Sequence, residues 1–147
     1  MSSWRDTASA QAQDDLDALL SATLPFAQQL LEKNGEFFPF GAMVEINDDL
    51  ALTSADPALV GEQPDNASVI TALVDRFRTL RDTTRAVAVV SDVQLGESHA
   101  VRVELEHRDG HSFAVILPYQ QDPSGRATQY GDLALAGSRG GLVWGGS

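Results

Sequence analysis

The chain has no cysteine, one lysine, two tyrosines, two tryptophans and two methionines among its 147 residues. Without cysteine it has no disulfide, no thiolate zinc site, no iron–sulfur cluster and no thiol nucleophile. Long apolar runs are missing too. The longest aliphatic stretch, Ala86-Val87-Ala88-Val89-Val90, falls far short of the roughly 20 residues a membrane-spanning helix needs. An apolar leader is not expected, because Arg5 is followed by Gln11, Gln13, Asp14, Asp15 and Asp17. A cytoplasmic location is therefore expected. The scarcity of lysine against nine arginines is expected of a GC-rich bacterial source.

Positive charge is the other shortage. Ten basic residues stand against 21 acidic ones, a net charge of −11, which opposes binding to a nucleic-acid backbone or an anionic membrane surface. The imbalance is local. Residues 1–75 hold 13 acids and only Arg5 and Lys33 as bases, whereas residues 76–147 hold eight of each.

What remains is patterned as one α+β domain spanning 1–147, with residues 1–8 and 145–147 expected to fray. From Thr7 to Lys33, Leu16, Leu19, Leu20, Leu24, Ala27, Leu30 and Leu31 recur at spacings of three and four, the stripe of an amphipathic helix. Pro25 removes a backbone donor inside it. The unbroken phase predicts a kink rather than a break, and Asn34-Gly35 a stop.

Met43, Val44 and Ile46, then Asn47-Asp48-Asp49, then Leu50 and Leu52 predict a hairpin. Asp56 to Asn66 has the turn chemistry of a loop. Val69, Ile70, Leu73, Val74, Phe77 and Leu80 predict a second helix ending near Thr84. Three strands follow, Ala86–Val93, Ala100–His107 and His111–Tyr119, and the glycine-rich tail ending in Leu142-Val143-Trp144 could add an edge strand.

The register of the last hairpin can be argued from its side chains. With Arg108-Asp109-Gly110 as a three-residue loop, Leu105 faces Phe113, Val103 faces Val115 and Val101 faces Leu117. A two-residue turn would set Glu106 against Phe113 and Arg102 against Leu117, mixing charge into the apolar row. The predicted fold is an antiparallel sheet of five to six strands with both helices on one face, in the order α-β-β-α-β-β-β(-β).

Motifs for chemistry are sparse. His107 and His111 would be neighbours at the hairpin mouth with Glu106 adjacent, a conceivable metal or acid/base group. Yet alternation points Glu106 away from His107, and surface histidines beside a turn are the simpler expectation. Ser98-His99 lacks a nucleophile turn, Asn47-Asp48-Asp49 is too short for a calcium loop, and Gly137-Ser138-Arg139-Gly140-Gly141 lacks the lysine of a phosphate loop. No catalytic, cofactor or metal residues are assigned.

Charge and aromatic clusters point instead to contacts with a partner, through Asp14, Asp15, Asp17, Asp48, Asp49, Arg78, Arg81, Arg85, Phe37 and Phe38. Arg78, Arg81 and Arg85 form a stripe expected to be either solvated or paired, with the acidic first half or with a partner. Phe37-Phe38-Pro39-Phe40 is expected in the core and, if exposed, would anchor an interface.

The segment Leu31 to Gly41, containing Gly-Glu-Phe-Phe-Pro-Phe-Gly, together with Val115-Ile116-Leu117-Pro118-Tyr119, resembles a loosely related set of short, acidic, uncharacterised bacterial proteins. That resemblance covers most of the chain after residue 15 and implies no activity. The element order is also similar to that of roadblock and profilin-like domains, which implies work through protein contacts. The expected function is a protein-binding module, of immunity or chaperone-like type, engaging a basic partner through the acidic first half. The alternatives are a structural or regulatory homodimer, and an enzyme or metal protein using His107 and His111.

Overall fold

The computed structural model describes residues 10–34, 37, 39–54, 66–95, 98–108, 112–121, 128–136 and 143. The expected fraying of the two ends, the Gly35 stop, the 56–65 loop, Asp109 and Gly110 of the three-residue loop, the Gly137–Gly141 segment, Phe38 and His111 lie outside these residues.

Helix α1 spans Ala10–Asn34, and Pro25 lies inside it without ending it. Proline stands on the exposed side, while Ala12, Leu16, Leu19, Thr23, Ala27 and Leu31 form the buried stripe. Thr23 fits that apolar line because its hydroxyl donates to the Leu19 carbonyl at 2.8 Å. Strands β1 (Phe40–Glu45) and β2 (Leu50–Ser54) form the first hairpin. Helix α2 spans Asn66–Thr79, and a 3₁₀ turn, Arg81–Thr83, carries the chain into β3 (Thr84–Leu95). The second helix thus ends at Thr79, earlier than the end near Thr84 that its apolar spacing predicts. Arg78, Arg81 and Arg85 consequently fall on helix, turn and strand and form no single stripe.

Strands β4 (Ser98–His107) and β5 (Ser112–Gln121) follow, with short strands β6 (Thr128–Tyr130) and β7 (Ala134–Ala136) beyond them. All pairings are antiparallel, in the order β2-β1-β3-β4-β5-β6, with β7 also pairing β5. The β4–β5 register is Leu105 to Phe113, Val103 to Val115 and Val101 to Leu117, as the charge pattern requires.

The helices do not share a face, contrary to expectation. One buried cluster joins Leu16, Leu19 and Leu31 of α1 to Ala42, Val44, Ala86, Ala88, Val90, Val103 and Leu105. A second joins Leu73 and Phe77 of α2 to Met43, Val87, Val89 and Val143. Even and odd residues of β3 point to opposite sides, so the two clusters lie on opposite faces of the sheet. The physical reason is β3 itself, whose residues Ala86 through Ser91 are all buried. A strand with no polar face must be covered twice. Close packing of α2 also explains Gly41, where an added Cβ would lie 2.6 Å from the Phe77 ring and 3.1 Å from the Ala88 carbonyl.

Among the described residues, no helix is long and apolar enough to cross a membrane.

Candidate functional site

Asp15 occupies a stripe position of α1, four residues before Leu19, and is therefore carried under the helix. It is 5% exposed. Its carboxylate receives Arg85 Nε at 3.1 Å and a second Arg85 nitrogen at 2.8 Å, a bidentate grip, and meets His107 Nε2 at 2.8 Å. An ionised carboxylate can only accept, so Nε2 carries the proton of that bond. Arg85 reaches on to Asp48 at 2.6 Å, and the two carboxylates, Asp15 foremost, raise its pKa above the ordinary value. Asp48 is held for this by the turn. It adopts φ 76°, a left-handed conformation that aspartate tolerates, between Glu45 N–H to Asp49 carbonyl and Asp48 N–H to Glu45 carbonyl bonds of 2.8 and 2.9 Å.

The cluster ties α1, the β1–β2 turn, β3 and β4 together. A carboxylate orienting an imidazole also occurs in catalytic triads. Here the His107 side chain is 3% exposed and faces Asp15 beneath α1, so no substrate reaches it. The expectation of a surface histidine at the hairpin mouth is overturned for His107, and its cause is the carboxylate 92 positions earlier in the chain. Asp15 and Arg85 are likewise corrected: each is consumed internally rather than offered to a partner.

Glu106 points to the other face, where its carboxylate accepts the Val143 N–H at 2.7 Å. His107 and Glu106 therefore diverge. Among the described residues, no three metal-ligating side chains converge. Beside Glu106 on that face, Arg102 pairs with Glu104 at 3.0 Å.

The remaining predicted residues separate by exposure. Phe37 is buried, its ring 5.7 Å from that of Phe40, which also meets Phe26 edge-on at 5.0 Å. It is a core residue and no interface anchor, because the sheet face beneath α1 needs apolar cover at its end. Asp14, Asp48, Asp49, Arg78 and Arg81 are exposed, and Asp17 is half-buried. The two exposed aspartates of the β1–β2 turn adjoin Ile46, Leu50 and Leu52, which are 48%, 38% and 44% exposed. Sequence pattern alone places these three aliphatics in a hairpin and does not mark them as exposed. Their exposure follows from position: α1 packs over β1, β3 and β4, leaving the outer strand uncovered.

At the far margin, a half-open cleft of about 240 Å³ is lined by Ser98, Pro118, Tyr119, Gln129 and Tyr130. Tyr119 donates to Asp92 at 2.6 Å and stacks on His99 at 5.7 Å. The Tyr130 hydroxyl is buried without a hydrogen-bond partner among the described residues. Burial, and then the Glu32 carboxylate, pushes its pKa above the ordinary 10.0.

No family model, curated protein or solved structure matches the chain.

Proposed function

We propose that this chain is a protein-binding module that engages a basic partner through its acidic first half, as an immunity or chaperone-like protein would. One observation carries the proposal. The β1–β2 hairpin, at the margin of the sheet, exposes Ile46, Leu50 and Leu52 beside Asp48 and Asp49. An apolar patch rimmed by charge of one sign combines contact area with electrostatic steering. Asp48 and Asp49 are both exposed in that turn, and it belongs to the half of the chain, residues 1–75, that holds 13 acids against two bases. A second copy, itself at −11, is repelled where a basic protein is attracted.

The test is a photo-crosslinking residue at position 52, irradiated in extracts of the source organism at low salt. A single stoichiometric adduct with a basic protein is expected. It should fade at about 0.5 M salt, where charges are screened within a few ångströms, and in the Asp48→Asn/Asp49→Asn variant. Recovery of no stoichiometric adduct, or of an acidic one, overturns the proposal.

A further inference from the structure

Strand β2 ends the sheet, and among the described residues nothing pairs with its outer edge. Which backbone groups face outward follows from the ladder. Glu45 N–H bonds the Asp49 carbonyl, so the Glu45–Asp49 pair is a hydrogen-bonded one. In an antiparallel ladder such pairs alternate with pairs that do not bond each other. Along the register, Met43–Ala51 and Gly41–Thr53 then bond, while Val44–Leu50, Ala42–Leu52 and Phe40–Ser54 do not. The N–H and C=O groups of Leu50, Leu52 and Ser54 therefore point away from β1. Leu50 and Leu52 are also the residues whose side chains are exposed. One short strand thus presents outward backbone groups, unpaired among the described residues, and aliphatic contacts in the same register.

Natural sheets guard such edges with lysine, proline, bulges or inward-pointing charge. Between Leu50 and Ser54 there is no proline, lysine or charged residue. Charge is instead concentrated at the end where β2 begins, in Asp48 and Asp49.

From these features we infer that β2 is an acceptor edge for strand addition, and that its occupant is an extended basic segment of the partner lying antiparallel to β2. The inference rests on the function proposed above and specifies its mode. Antiparallel pairing continues the sheet and is the slightly more stable arrangement. It sets the C-terminal end of the added segment beside the 46–49 turn. The segment therefore carries aliphatic residues at alternate positions over Leu50 and Leu52, followed by lysine or arginine opposite Asp48 and Asp49. Backbone bonds supply affinity that is indifferent to sequence, and the aliphatic alternation and basic end supply selectivity.

The probe is a fluorescent peptide, Val-Thr-Val-Thr-Val-Lys-Arg-Lys, followed by anisotropy against the full chain. Three comparisons accompany it: the same peptide with N-methyl valines, a version ending Glu-Asp-Glu, and the Leu52→Pro variant of the protein. Proline at 52 removes an outward N–H and leaves the β1 ladder intact, a position where edge strands accept it. The parent peptide should bind with a Kd below about 1 mM, and both N-methylation and Leu52→Pro should weaken it at least about tenfold. The N-methyl peptide needs no protein variant, so a folding defect in Leu52→Pro cannot mask the outcome. Equal binding of the N-methyl and parent peptides overturns strand addition while leaving a basic partner standing. Equal binding of the acidic-ended peptide overturns the basic partner itself. No binding of the parent peptide overturns strand addition, and the crosslinking experiment then decides the partner separately. A concentration-dependent dimer abolished by Leu52→Pro would assign the edge to a second copy and overturn the inference.

Discussion

Asp14 and Asp15 are neighbours with the same side chain, and the structure requires opposite consequences from removing them. Asp15→Ala deletes the acceptor for two Arg85 bonds and one His107 bond. Arg85 keeps Asp48 and is 11% exposed, so part of its charge remains satisfied. The imidazole of His107, 3% exposed, loses its carboxylate with no route to solvent. Taking one member from a buried ionic pair costs roughly 3–5 kcal/mol, and the Asp48 contact places this case at about 3 kcal/mol. For a domain of this size that corresponds to a fall in Tm of about 10 °C. Asp14→Ala, on the exposed side of α1, should change stability by less than about 0.5 kcal/mol. Urea unfolding followed by far-ultraviolet circular dichroism separates the two. Arg85→Met combined with Asp15→Ala should cost at least about 1 kcal/mol less than the two single effects added. Equal effects of the two alanine substitutions, or simple additivity with Arg85→Met, would refute the proposed cluster.

Tyr130→Phe should leave the protein as stable or more stable by about 1 kcal/mol, since a buried hydroxyl without a partner is removed. Its pH dependence has a definite sign. The folded state holds the phenolic proton above the ordinary 10.0, so stability present below that pH is lost as pH rises through the raised folded value. Urea midpoints measured upward from pH 9 should therefore diverge in favour of the phenylalanine variant. Gly41→Ala should destabilise by about 1–3 kcal/mol through overpacking against Phe77, with Phe77→Leu restoring part of the loss in the double variant by thermal melting. Val143→Ala should cost about 2 kcal/mol in chemical denaturation, because this residue near the C-terminal end is buried in the core beneath α2.

The β4–β5 register was legible because Arg102, Glu104 and Glu106 alternate with Val101, Val103 and Leu105, so a slip of one residue would set charge against Phe113, Val115 and Leu117. The division of the helices between two faces was also written in the chain, in Ala86 to Val90, a run without alternation that marks a strand covered on both sides. Asp15 carried a local sign as well: it falls in phase with Leu16 and Leu19, where an exposed acid has no place. Its partners gave no such sign. Arg85 and His107 lie 70 and 92 positions away, and no periodicity links residues brought together only by the packing of α1 across the sheet. The exposure of Leu50 and Leu52 was hidden for a related reason. Alternation shows which residues share a face, but the width of the helix laid over that face decides which strand is left uncovered.

The same Asp15 contacts bear on the order in which the chain acquires structure. During synthesis α1 emerges before β3 and β4, yet the guanidinium and imidazole that hold its acid, and most of the surface that covers its leucines, lie beyond residue 83. The β3–β4–β5 meander closes through short connections and needs no help from the N-terminal end, whereas docking of α1 closes one of the longest loops in the molecule. An element made before the meander is thus fixed after it. Pulse-labelled hydrogen exchange should show β3, β4 and β5 protected before α1, and a chain halted before His107 should carry its N-terminal helix undocked.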